Sequence, residues 1–193
     1  KYYNSNITSS INLLEAMKQF KIKKLIFSSS ATVYGTLNKS PLKETMKLDS
    51  INPYGSTKII IENLIQFFTN INKDFKAISL RYFNPLGADT EAKLSEKPMG
   101  NVQNIMPTIL DSVKKNKIFK IFGNKYDTKD GTCLRDYIHV KDLAKVVLEG
   151  TLSDKVQKAY FVSDGNAYPT QDLGRIAAKA LNKILLETKK TFA

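Results

Sequence analysis

A tyrosine and a lysine stand four residues apart in Asn52-Pro-Tyr-Gly-Ser-Thr-Lys58, downstream of an apolar run that ends in three hydroxyls, Lys24-Leu-Ile-Phe-Ser-Ser-Ser-Ala-Thr-Val-Tyr-Gly35. On a helix, positions i and i+4 share a face, so Tyr54 and Lys58 would be neighbours. An ammonium held close to a phenol in a half-buried setting stabilises the phenolate. Lowering a phenol pKa from about 10 toward 7 takes roughly 4 kcal/mol, within reach of one partly desolvated cation. Such a tyrosine is a general base, and a serine hydroxyl beside it can share its proton. Taken alone, the spacing describes an ordinary solvent-facing helix equally well; the surrounding motifs decide.

The elements that must position these residues follow from apolar spacing. A helix is predicted over 7–20 from the helical spacing of Ile11, Leu14, Ala16 and Met17, with Asn6 or Thr8 able to cap its start. A short buried strand follows at Leu25-Ile-Phe27. The next helix runs from Tyr54 to about Phe68, entered through Pro53, whose fixed φ suits a first turn. Strands are expected at 77–83 and 119–122, with a helix at 105–113 between them. Tyr137-Ile-His-Val140 leads into a helix that Asp142 or a neighbour starts, a last strand covers 158–162, and a last helix covers 170–182 behind Thr170. Helices between apolar strands indicate an α/β fold with a mostly parallel sheet. Ligands of such sheets bind outside the carboxyl ends of the strands, so Ser28, Ser29 and Ser30 are expected to face that crevice.

Composition removes several other classes. The 193 residues are 42% hydrophobic, enough for an ordinary globular core rather than a disordered chain. The net charge of +12 comes from 30 basic residues, of which all but Arg81, Arg135 and Arg175 are lysines scattered in runs no longer than two. Without a basic stripe interleaved with stacking aromatics, a nucleic-acid role is not indicated. No apolar run is long enough for a bilayer, and Lys1-Tyr-Tyr-Asn4 carries no signal-peptide pattern. A soluble protein is expected. The single cysteine, Cys133, fits a reducing, cytoplasmic setting. His139, the one histidine, reads as a packing residue, and with no Cys/His cluster no metal site is expected.

In order along the chain, the serine motif, the Tyr-Lys motif, Arg81-Tyr-Phe-Asn-Pro-Leu-Gly-Ala88 and Asp130-Gly-Thr-Cys-Leu-Arg-Asp-Tyr-Ile-His-Val-Lys-Asp-Leu-Ala144 resemble the UDP-glucose 4-epimerase family. That family lies within the extended short-chain dehydrogenase/reductase superfamily, among its NAD-dependent epimerases and dehydratases. The resemblance covers about Tyr2 to Leu152. It implies a Rossmann-like doubly wound parallel sheet, with its N-terminal strands absent from this chain, and a smaller α/β substrate-binding domain. Residues 1–83 would be the C-terminal part of the NAD-binding domain and 84–193 mainly substrate-binding segments, with about 136–152 returning to the first domain.

The implied activity is interconversion of UDP-glucose and UDP-galactose: hydride leaves C4 to bound NAD, the 4-keto sugar turns, and hydride returns to its other face. On that template Tyr54 is the base, Lys58 tunes it and holds the nicotinamide ribose, and Ser30 contacts the sugar hydroxyl. Asn6 and Phe83 match positions near the cofactor. Asn84 and Asn104 match positions that hydrogen-bond the sugar nucleotide, Phe122 lies beside the uracil with Lys120 in the same substrate-binding stretch, and Arg135 is a diphosphate ligand. A guanidinium fork suits phosphate oxygens better than an ammonium does. A homodimer is the family's habit.

The same motifs occur in two other settings. A sugar-nucleotide dehydratase or decarboxylase of the superfamily would need acid/base carboxylates beside the serine motif, which Ala31-Thr-Val does not supply. A noncatalytic scaffold would not need Ser30, Tyr54 and Lys58 together. The chain departs from the family in three places. Its 9 glycines form no G-x-G-x-x-G turn, Ser9-Ser10 stands for the usual Gly-Thr, and Tyr160-Phe-Val-Ser-Asp-Gly165 replaces an Asn and Gly pattern. The expectation is an internal stretch, inactive alone, in which Leu25 to Phe27 is the fifth strand of a 3-2-1-4-5-6 sheet.

Overall fold

In a computed structural model, residues 2–89, 91, 93–96, 98–100, 104–152, 160–162, 167–169 and 187–190 are described. Two compact units share the chain: Lys1–Phe83 with Asp142–Val162, and Asn84–Lys141 with Ser163–Ala193.

In the first unit, helix α1 (Ser9–Gln19) leads to strand β1 (Lys24–Ser30), helix α2 (Pro53–Ile71) and strand β2 (Lys76–Tyr82). β1 pairs in parallel with β2, Ser29 opposite Arg81 and Ser30 opposite Tyr82, and β2 pairs in parallel with Tyr160–Val162. The strand expected at Leu25 to Phe27 therefore extends through all three serines. α2 forms because Pro53 occupies its first turn and the Asn52 side chain accepts the Gly55 N–H at 2.8 Å. Gly55 is required there, since a Cβ would lie 2.9 Å from the Thr32 carbonyl oxygen and 2.0 Å from Ser50 Oγ. Ile61 and Ile65 then place an apolar stripe against Leu14, Met17, Phe75 and Ala77, with Leu25 and Phe27 packed at its border. Each fully buried side chain of this kind contributes about 1.5–3 kcal/mol.

Alternation along β1 and β2 sends Ile26 and Ile78 to the opposite sheet face. There they meet helix α4 (Val140–Leu152), where a Cβ on Gly150 would stand 3.0 Å from Ile26 Cδ1. Helices thus cover both faces of a parallel sheet, the doubly wound arrangement expected.

In the second unit, strand β3 (Asn84–Leu86) pairs in parallel with β5 (Leu134–His139), which pairs antiparallel with Ala167–Pro169. Strand β4 (Phe119–Phe122) pairs in parallel with Glu187–Lys190. Helix α3 (Ile105–Lys114) packs Ile109 and Val113 on Phe119, Ile121 and Tyr137.

Several local expectations are corrected. Neither Asn6 nor Thr8 caps the first helix, because Tyr3–Thr8 already form a π-helical turn and the Thr8 side chain makes no capping bond. α4 begins at Val140 with Asp142 in its first turn, as expected, whereas β2 ends at Tyr82, leaving Phe83 outside it. The strand at Tyr160–Val162 is not the last, since Ala167–Pro169 and Glu187–Lys190 follow. The helix expected at 170–182 lies outside the described residues. Among those residues no helix is long and apolar enough to cross a membrane.

Candidate active site

Strand β1 and helix α2 carry the Ser-Tyr-Lys group in the first unit. Lys58 Nζ donates to the Ser28 carbonyl at 2.7 Å and lies 5.4 Å from the Tyr54 ring centroid and 4.8 Å from that of Phe27. Burial lowers the Lys58 pKa from the ordinary lysine value, with the Glu62 carboxylate pulling it back up. The ammonium is thus partly desolvated beside a phenol, as the i, i+4 spacing requires. Tyr54 is 36% exposed, its ring meets Tyr2 edge-on at 6.1 Å, and its hydroxyl has no partner among the described residues.

Ser30 begins a short 3-10 turn, Ala31–Tyr34, and its Oγ accepts from Thr32 N–H at 3.3 Å and Thr32 Oγ at 3.0 Å. With its lone pairs engaged, the Ser30 hydroxyl is left as a donor. Asn6 reaches α2 from the π-helical turn: its amide donates to Thr57 Oγ at 3.0 Å, and Thr57 donates to the Tyr54 carbonyl at 2.7 Å. Phe83 follows directly after β2 and is half-buried.

The three serines do not act alike. Ser28 Oγ shares a hydrogen bond with the Tyr82 hydroxyl at 3.0 Å, whereas Ser29 turns inward, is 3% exposed, and donates to Glu62. The expectation that all three face one crevice fails because side chains alternate along a strand. Ser29 belongs to a network that sequence reasoning missed. Glu62 receives Arg81 Nε at 3.1 Å and Nη2 at 2.7 Å, both side chains being buried, and Arg81 Nη1 donates to the Tyr34 hydroxyl and to the Glu44 carbonyl. Burial acts against the Arg81 charge, but Glu62 and Tyr34 outweigh it and hold its pKa above the usual arginine value. A cleft of about 500 Å³ borders this pair and is lined by neither Ser30, Tyr54 nor Lys58.

In the second unit, Lys120 and Phe122 share the exposed face of β4, and Phe122, at 60% exposure, is not a core residue. Asn84 and Arg135 sit on paired strands, Asn84 donating to the Asp136 carbonyl at 2.7 Å and Arg135 Nη1 to the Leu134 carbonyl at 2.8 Å. Asn104 precedes α3, where its carbonyl accepts from Thr108 N–H at 3.1 Å and its side chain donates to Glu96. His139 accepts the Lys141 N–H through Nδ1 at 3.2 Å.

A sequence model of the NAD dependent epimerase/dehydratase family matches residues 1–160. The chain belongs to this family. Among curated members, it is 40% identical to the UDP-glucose 4-epimerase of Bacillus subtilis over 187 residues, covering 95% of this chain and 55% of that enzyme. Solved epimerase folds superpose closely. The UDP-glucose 4-epimerase of Bifidobacterium longum in complex with NAD+ and UDP gives a TM-score of 0.88 at 35% identity, covering 98% of this chain and 58% of that one. The enzyme of Stenotrophomonas maltophila, with bound NAD and formylated UDP-arabinopyranose, gives 0.90 at 32%, covering 99% and 58%. The chain therefore spans a little over half the length of the epimerase/dehydratase members it matches, and its α/β, Rossmann-like fold is theirs.

Proposed function

We propose that the whole protein interconverts UDP-glucose and UDP-galactose by removing and returning the hydrogen at C4. The observation that carries this reading is the partly desolvated Lys58 ammonium 5.4 Å from the Tyr54 ring centroid, with the Tyr54 hydroxyl unpartnered among the described residues and the Ser30 hydroxyl at the end of the neighbouring strand left to donate. Tyr54 takes the proton of the sugar 4-hydroxyl as general base, Ser30 donates to the same oxygen, and Lys58 stabilises the phenolate. NAD, when bound, supplies the hydride chemistry at C4. The residues present fit it: Lys58 commits one of three ammonium hydrogens to the Ser28 carbonyl, and Asn6 donates to Thr57 while its side-chain oxygen stays available. Both would hold the nicotinamide half, with Phe83 near it. Similarity to UDP-glucose 4-epimerases over 95% of the chain supports the sugar nucleotide as substrate. Incubating the whole protein with NAD and UDP-glucose, and finding no UDP-galactose by NMR, would overturn the proposal.

The nucleotide half falls to the second unit, with Asn84, Asn104, Lys120 and Phe122 on the sugar nucleotide and Arg135 on the diphosphate. Arg135→Ala is expected to weaken UDP binding by about 1.5–3 kcal/mol, the worth of a lost charge-assisted contact. Calorimetry with UDP on the NAD-loaded protein reads this, and unchanged affinity would assign Arg135 to the fold.

Lys58 also fixes a pH limit. Its ammonium persists below its folded pKa and is lost as pH rises through it, and burial places that pKa below the ordinary 10.5. Turnover should fall along an alkaline limb beneath that value. In Lys58→Arg the residual turnover should lack the limb, because a guanidinium does not deprotonate in this range. A limb that stays in place belongs to another group.

A homodimer completes the reading. It is supported by Leu13 on α1 and Phe67 and Ile71 on α2, which are 51%, 67% and 77% exposed, and sedimentation of the whole protein as a monomer would remove it.

A further inference from the structure

The Glu62–Arg81 pair takes no part in the proton chemistry assigned to Tyr54, Lys58 and Ser30, yet its bonds converge on the segment that carries them. Glu62 lies one turn beyond Lys58 and two beyond Tyr54, so one stripe of α2 presents all three. Its Oε1 accepts both the Ser29 hydroxyl and Arg81 Nε, and its Oε2 accepts Arg81 Nη2. Ser29 is flanked by Ser28, whose carbonyl holds Lys58 Nζ at 2.7 Å, and by Ser30, whose Oγ is aligned by Thr32. Arg81 also reaches Tyr34, at the end of the turn that Ser30 begins. The bonds form a closed circuit: β1 to α2 through Glu62, α2 to β2 through Arg81, and β2 back to the turn after Ser30 through Tyr34.

A buried ion pair is no more stabilising than well-packed apolar residues of the same volume. What it adds is direction, since a carboxylate with fixed acceptor positions admits one placement of its donors. We propose that the Glu62–Arg81 pair is a positioning device which, through Ser29, fixes the carboxyl end of β1 against α2 and so sets the Ser30 hydroxyl and the Ser28 carbonyl that holds Lys58. The part of this concerning catalysis rests on the function proposed above; the part concerning β1 does not. Ser29, Glu62 and Arg81 are positioning residues, acting through their neighbours.

Ser29→Ala in the whole protein deletes the link and leaves the ion pair intact, so the variant should fold. Its kcat should fall about tenfold with the KM for UDP-glucose within twofold, and Ser29→Thr, which keeps the hydroxyl, should recover most of the loss. Independently of turnover, amide hydrogen exchange at residues 28–32 should accelerate about tenfold in Ser29→Ala while α2 keeps its protection. A kcat within twofold of the parent, or exchange that rises evenly across β1, β2 and α2 or not at all, overturns the proposal. If the parent itself does not turn over UDP-glucose, the functional reading fails, and the exchange pattern alone decides whether Ser29 anchors the strand end.

Discussion

Replacing Tyr54 with phenylalanine is expected to cut kcat of the whole protein by a factor of about 100 or more while leaving UDP-sugar affinity within a few-fold. The ring is retained, so its edge contact with Tyr2 and the helix turn at Pro53 survive. The loss is one hydroxyl that bonds to no described residue, and a group with no partner in the resting fold contributes little to stability. Its removal is felt when the sugar hydroxyl needs a base. Lys58, still desolvated, then has no phenolate to stabilise. A variant with near-normal turnover would show that Tyr54 is an ordinary helix residue, the alternative that the spacing alone permits.

The second large effect concerns stability. Arg81→Leu should destabilise the fold by about 3–5 kcal/mol, because it leaves the Glu62 carboxylate buried without its cation. Joint replacement of both residues by methionine should restore most of it, since the cost lies in the unpaired charge rather than in the missing attraction. Thermal melts of the parent, Arg81→Leu and the double variant measure this. A single variant within about 1 kcal/mol of the parent would mean that water enters from the neighbouring cleft and screens the carboxylate.

What the sequence disclosed follows the range of the interactions. Tyr54 and Lys58 could be paired because four residues on a helix fix their separation, and Pro53 with Asn52 announces that helix. Leu25, Ala77 and their neighbours were legible as parallel strands from apolar runs between helices. Ser28, Ser29 and Ser30 look equivalent in the sequence because their identity is the same, although strand alternation gives Ser29 a different face and partner. Glu62 and Arg81 were hidden for another reason. They are 19 residues apart and meet only when α2 folds onto β2, so no local spacing signals them; the one available clue was a glutamate on the apolar side of α2, four residues past Lys58. The π-helical turn at Tyr3–Thr8 was masked by a pattern that an α-helix explains equally well, and its effect is to turn Asn6 toward Thr57 instead of leaving it as a cap.

Whether hydrogen leaves C4 and returns to the opposite face of the same sugar can be read from UDP-glucose carrying deuterium at C4. The whole protein with NAD should yield UDP-galactose with the deuterium still at C4, and Tyr54→Phe should form the same labelled product far more slowly. Deuterium lost to water, or product labelled at any other carbon, would show that the C4 hydrogen is not removed and returned to the same carbon.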